Sequence, residues 1–211
     1  MTQLLVVFDV DSTLIRDEVI ELLAELAGKR DEVAAVTASA MAGEIDFTES
    51  LVKRVSTLAG LPDSVFTEVF ERITVTPGAK ELIAAIHHAG GKVAAVSGGF
   101  SQVLEPLAKL LDLDFGKANH LEVVDGKLTG RVIGSIIDRD AKQRALLEWA
   151  EATNTPIDKT VAVGDGANDL GMMSVAGLSI AFTAKPVVRE FAQIVVDEPD
   201  LTQLIEILQL N

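Results

Sequence analysis

Two aspartates stand two residues apart in Asp9-Val10-Asp11-Ser12-Thr13, directly behind the apolar run Leu4–Phe8. At that spacing both carboxylates can face one cleft as a strand opens out. So close together they repel, unless a cation lies between them. A second acidic group follows in Gly164-Asp165-Gly166-Ala167-Asn168-Asp169. An oxygen-rich set of this kind suits Mg²⁺, which keeps several waters and few protein ligands. Ser97-Gly98-Gly99 exposes backbone N–H groups with no side chain in the way, as a phosphate cradle requires. Lys142 falls in the first turn of a predicted helix, where a cation opposes the helix dipole; an anion in front of it would explain its place.

Singly, a strand-end aspartate, a glycine turn and a lysine are ordinary features. Together, carboxylates, a hard cation, a lysine and a backbone cradle specify phosphoryl transfer. There is no Gly-x-x-x-x-Gly-Lys-Ser/Thr sequence, which argues against a P-loop enzyme. There is no cysteine either. That removes thiolate nucleophiles, disulfides, cysteine zinc sites and iron–sulfur ligation. The available nucleophile is an aspartate, forming an aspartyl-phosphate. Asp9 is the best placed. Asp11 can then protonate the leaving oxygen and later activate water, with Ser12 and Thr13 bonding the nucleophile or the phosphate.

These groups must be brought together by the elements around them. Leu4–Phe8 is apolar without alternation, as in a strand covered on both faces. Lys92–Val96, Thr160–Val163, Leu178–Phe182 and Ile194–Val196 read as further strands. Helical patterns over Gly78–Ala89, Ser101–Leu111, Ala141–Ala152, Asn168–Ala176 and Val187–Ala192 separate most of them. The alternation predicts an α/β fold with a doubly wound, mostly parallel sheet. Ligands in such sheets bind beyond the carboxyl ends of the strands, where all the residues above fall.

From Arg16 to Ile73 no strand is evident. Val19, Leu22, Leu23 and Leu26, then Val33 and Val36, then Leu51, Val55 and Leu58 repeat at helical spacing, and Pro62 is expected to open a fourth helix through Phe70. A βα connection is usually about two to six residues, so one of about sixty predicts a small helical domain inserted after the first strand. We place this cap at residues 15–75 and the catalytic core at 1–14 and 76–211. Glu122–Val124, Asp125-Gly126 and Leu128–Val132 predict a hairpin jutting from the sheet edge.

Composition narrows the partners. Hydrophobic residues are 48% of the 211-residue chain and charged residues 24%, too apolar a balance for a disordered acidic chain. Lys and Arg total 18 against 32 Asp and Glu, a formal charge of −14 with no basic stripe, so a nucleic acid is not an expected partner. No apolar run approaches the length needed to span a bilayer, and the start does not resemble a signal peptide, so a cytoplasmic address is expected. Three histidines, with His87 and His88 adjacent, do not make a histidine-rich metal site.

Asp-x-Asp-x-Thr behind an apolar strand, here Asp9–Thr13, resembles the haloacid dehalogenase-like phosphatases. The stretches Gly43–Leu51, Val96–Phe100, Asp125–Gly130, Val161–Asp169 and Ala184–Arg189 extend the resemblance over essentially the whole chain, to the branch that hydrolyses phosphoserine. That resemblance implies Mg²⁺-dependent conversion of O-phospho-L-serine to L-serine and phosphate, the last step of serine biosynthesis. It implies Asp9 as nucleophile and Asp11 as acid and base. Mg²⁺ would be held by the Asp9 side chain, the Asp11 backbone carbonyl and Asp165, with Asp169 and Thr13 in support. Ser97, Gly98, Gly99, Lys142 and Asn168 would bind the phosphoryl group. In the cap, Glu18 would meet the substrate ammonium and Arg54 its carboxylate, a pairing that suits a zwitterion. Met41, Gly43 and Phe47 would shape the closed pocket.

The chain departs from the family at Val10, where phenylalanine is usual, and at Gly171, where proline is frequent. It has no room for the regulatory domains that precede the catalytic region in some relatives, so feedback through them is not expected. The alternatives are a phosphatase for another small phosphate such as phosphohomoserine or a phosphosugar, a phosphotransferase using the same intermediate, and a noncatalytic binding protein. Whether the chain is a monomer or a homodimer is left open.

Overall fold

In the computed structural model, which describes residues 4–210, β1 (Leu5–Phe8) is fully buried. Val6 and Phe8 pack into one apolar cluster, Leu5 and Val7 into a second on the opposite face. This is the period-two alternation of a strand covered on both sides, and it explains the unbroken apolar run. Four helices follow in the insert: α1 (Val19–Leu26), α2 (Arg30–Met41), α3 (Phe47–Ser56) and α4 (Val65–Arg72). Their apolar residues Leu23, Val33, Leu51, Val55 and Val69 join the cluster that holds Phe8. The two crossings between sheet and helical insert are paired. Ile15 bridges Val75, and Arg16 N–H donates to Thr74 O at 2.9 Å.

The remainder alternates: α5 (Ala79–His88), β2 (Lys92–Phe100), α6 (Ser101–Leu111), β3 (Phe115–Val124), β4 (Lys127–Ile133), α7 (Arg139–Ala152), β5 (Thr160–Gly164), α8 (Leu170–Val175), β6 (Leu178–Phe182), α9 (Pro186–Phe191), β7 (Ile194–Val196) and α10 (Gln203–Ile207). Among the described residues there are seven strands, in one sheet of order β4-β3-β2-β1-β5-β6-β7. All neighbours are parallel except β3 and β4. Helices α5, α6 and α10 cover the Phe8 face, and α7, α8 and α9 the other. The fold is the doubly wound, mostly parallel α/β architecture expected. No helix among the described residues is long and apolar enough to cross a membrane.

Three details differ from the sequence reading. The fourth insert helix begins at Val65, because Pro62 is held extended in a bridge to Lys127 and its carbonyl accepts from Val65 N–H. The hairpin does not jut free: Leu128 exchanges backbone bonds of 2.8 Å with Gly60 and Leu61, tying it to the loop between α3 and α4. Third, β3 starts at Phe115 and pairs with β2 through a stretch, Gly-Lys-Ala-Asn-His, with no apolar alternation to announce it.

Candidate active site

β2, β1 and β5 lie side by side, so their carboxyl ends deliver three loops to one rim. Asp9 carries the ladder one residue past β1, its N–H donating to Val163 O at 2.9 Å. From the opposite wall α7 contributes Lys142, fully buried. Its Nζ donates to Asp9 Oδ1 at 2.6 Å and to Asp169 Oδ1 at 2.7 Å. These two carboxylates are the anions that offset an ammonium near a helix N-terminus. The second oxygen of Asp169 accepts from the N–H groups of Asp165 and Gly166, both at 3.1 Å. Asp169 is thus fully engaged in holding the β5 loop and Lys142.

Asp9, Asp165 and Asp169 each present a carboxylate oxygen within 4.8 Å of the others, all buried. Three acids face one ammonium, an imbalance the low-dielectric interior penalises heavily. Burial first, then the Asp169 charge, pushes the Asp9 carboxyl up to about 7 despite the pull of Lys142. Burial, Asp9 and Asp169 push Asp165 well above the carboxylate range. Burial pulls Lys142 down, but Asp169 and Asp9 more than offset this and raise it. A hard divalent cation would relieve the imbalance, and the donor set, all oxygen, fits one.

Asp11 is turned differently. Its Oδ1 accepts from Val19 N–H at 2.8 Å and its Oδ2 from Ser97 Oγ at 3.0 Å. It therefore caps the start of α1 with a side chain from the β1 loop, and its carboxylate stands outside the acidic cluster. Burial raises its carboxyl against these two bonds. Ser12, the next residue, takes a left-handed φ of 57°, sparsely populated by residues other than glycine. Its Oγ donates to Glu18 Oε1 at 2.7 Å. Burial, then the Asp11 charge, pushes Glu18 up to about 8.

The insert closes the rim. A cavity is lined by Asp9, Asp11, Gly98, Gly99 and Asn168 from the sheet side and by Glu18, Ile20, Met41, Phe47, Leu51 and Arg54 from the insert. Arg54 is only 3% exposed. Its guanidinium donates to Ser50 O at 3.2 Å, Thr37 Oγ1 at 2.9 Å and Ser50 Oγ at 3.4 Å, all neutral oxygens. Burial holds it below the usual arginine range, with Glu18 opposing. Phe47 lies 6.0 Å beneath the guanidinium and reaches over Gly98, where any Cβ would strike its ring. Only glycine lets the two approach.

Ser97, Lys142 and Asp165 are buried and do not line this cavity; Asp165 borders a separate groove with Ser12 and Lys185. Gly43 is not in the cavity: it borders an adjoining groove with Phe47 and Asn168. Thr13 Oγ1 and Asn168 Oδ1 are buried without a hydrogen-bond partner among the described residues. Sequence reasoning missed Ile20 and Leu51 as lining residues, because an apolar helix position facing a cavity reads the same as one facing a core. It also missed Thr37 and Ser50, whose bonds to Arg54 depend on how α2 and α3 meet.

The sequence pattern of the family described as "haloacid dehalogenase-like hydrolase" matches residues 6–174. The chain belongs to the haloacid dehalogenase-like hydrolases. Within this hydrolase family it is 55% identical over 209 residues to a phosphoserine phosphatase of Streptomyces coelicolor, covering 99% of this chain and 51% of that one. It is 52% identical over 204 residues to a phosphoserine phosphatase of Streptococcus thermophilus, covering 97% and 95%. This hydrolase thus spans about half of the first relative and nearly all of the second. Among solved structures it resembles a phospho-aspartyl intermediate analogue of phosphoserine phosphatase, with TM-score 0.96, 42% identity, and coverage of 98% and 99%.

Proposed function

We propose that this hydrolase is a Mg²⁺-dependent phosphoserine phosphatase, converting O-phospho-L-serine to L-serine and phosphate. The observation that carries the reading is the cavity itself, in which Asp9 and Asp11 face one carboxylate, Glu18, and one guanidinium, Arg54, whose partners are all neutral. A zwitterion needs that pair, and a sugar phosphate would instead want several neutral donors. The relatives described as phosphoserine phosphatases support the same substrate.

In this reading Asp9, held by Lys142 through Oδ1, attacks phosphorus with its other oxygen. The phosphorus bond to the serine oxygen breaks as Asp11 gives that oxygen a proton. A raised carboxyl suits Asp11 to carry it. Water then attacks the aspartyl-phosphate, Asp11 takes back a proton, and the Asp9–phosphorus bond breaks. Gly98, Gly99, Ser97, Lys142 and Asn168 hold the phosphoryl oxygens. Mg²⁺, held by Asp9, Asp165 and the Asp11 backbone carbonyl, would supply charge neutralisation there. Residues 15–75 act as the cap, excluding water during the first transfer, with Met41 and Phe47 as its apolar wall and Gly43 outside it.

A comparison of substrates tests this. Arg54→Ala should cost phosphoserine hydrolysis about 2–5 kcal/mol, the range for one member of a buried charged pair. That is about 30-fold or more in kcat/KM. It should do little to phosphoethanolamine, which lacks the carboxylate. Glu18→Gln should hurt phosphoserine and spare phosphoglycolate, which lacks the amine. Equal losses on all substrates would mean that the pair does not read the amino acid.

A further inference from the structure

Asn119 is 1% exposed, on β3, and does not itself line the cavity. Its Nδ2 donates to Gly98 O and its Oδ1 accepts from Ile137 N–H, both at 2.8 Å. The first bond has a cause in the sheet. Val96 pairs with Lys117 and Phe100 with Asn119, so β2 carries two more residues than β3 between those pairs. The surplus is a bulge at Ser97-Gly98-Gly99, and a bulge takes peptide groups out of the ladder. The Asn119 amide gives the Gly98 carbonyl the partner that the ladder cannot. Gly99 N–H, on the same peptide, donates to Ser97 Oγ at 2.7 Å. The second bond reaches the residue just before Asp138, which caps α7 by accepting from Ala141 N–H at 2.8 Å. That helix carries Lys142.

We propose that Asn119 is a positioning residue for phosphoryl binding. It joins the phosphate-binding bulge of β2 to the N-terminus of α7, so that the glycine cradle and the Lys142 ammonium keep one mutual geometry. A side-chain amide suits this because it donates at one atom and accepts at the other. It also holds the Gly98 carbonyl oxygen on the β3 side, away from the cavity, where it would repel an anion. The inference rests on the phosphatase reading of the cavity.

The test compares Asn119→Asp, Asn119→Ala and Gln102→Ala, with binding of inorganic phosphate and of L-serine measured by calorimetry in Mg²⁺, well below each melting temperature. Asn119→Asp keeps the volume and the acceptor for Ile137, but loses the donor to Gly98. Gln102 is the control: it bridges to both backbone groups of Leu121, two residues along β3, and has no link to α7. Both Asn119 variants should bind phosphate about tenfold or more weakly, the scale of one lost hydrogen bond, and lower kcat on phosphoserine. L-serine affinity should stay within about twofold of the wild type. Gln102→Ala should lose stability and keep phosphate affinity. Unchanged phosphate affinity in the Asn119 variants, equal loss of phosphate and serine binding, or equal loss in Gln102→Ala would each overturn the proposal. A wild-type protein that binds no phosphate and leaves phosphoserine intact would instead sink the phosphatase reading beneath it.

Discussion

Asp9 and Glu18 are both carboxylates raised by burial, but they sit in different company. Asp9 has a lysine on one oxygen, whereas Glu18 has only the Ser12 hydroxyl. If Asp9 is the nucleophile, Asp9→Asn should lower turnover by roughly 10⁴-fold or more and leave the fold intact by circular dichroism. Phosphate trapped on Ser12 in place of Asp9 would contradict the assignment. Glu18 carries a cost in the free protein. Its folded carboxyl, at about 8, lies above the unfolded value, so the fold favours the protonated form. Stability is then full below the unfolded value and declines as pH rises toward about 8. Glu18→Gln should therefore match the wild type in melting temperature near the unfolded carboxylate range. It should exceed it at pH 8 by on the order of 1 kcal/mol, about 2–4 °C for a chain of this size. No gain at high pH would show that Glu18 ionises without penalty.

At the scale of elements, α8 packs against α7 at Gly171, where an added Cβ would overlap the Arg139 backbone carbonyl. The absence of proline at this position, a departure from the family pattern, thus has a steric reason here: the two helices meet with backbone against backbone. Gly171→Ala should destabilise by about 1–3 kcal/mol, as overpacking does. Because Arg139 opens the helix of Lys142, kcat should fall with it, and urea unfolding beside steady-state kinetics would measure both. Unaltered stability would mean that α8 shifts freely. The insert shows the same division. Its helices follow from apolar spacing, yet α4 starts three residues after Pro62 because β4 holds that proline extended.

Across the whole molecule the formal net charge is −14, and three of its acids, Asp9, Asp165 and Asp169, meet one lysine in a buried cluster. A ligand that binds only the folded state stabilises by about 2.7 kcal/mol at a hundredfold excess over its Kd. Mg²⁺ should therefore raise the melting temperature by about 5–10 °C in a chain of this length. EDTA should reverse the shift, and Asp165→Asn should abolish it. Protons compete for the same oxygens, so the shift should shrink as pH falls below about 7, where Asp9 titrates. A shift independent of Asp165 would place the cation elsewhere.

The sequence by itself determined most of the elements and which residue types stand at their ends. An apolar run without alternation means a strand with both faces covered, and the residues just past such strands face the ligand rim whatever the rest of the chain does. Asp9, Asp11, Ser97, Asp165 and Asp169 were legible for that reason. Only the tertiary structure decided how those groups divide the work. Asp11 turns to the start of α1, and Asp169 is consumed by Lys142 and the β5 loop. Asn119 joins two loops from a strand whose polar sequence hid it. The bonds of Asn119 and of Lys142 with Asp169 join segments far apart in the chain. A pattern of residue types records the burial of each segment and nothing of the register or crossing that brings two of them within 3 Å.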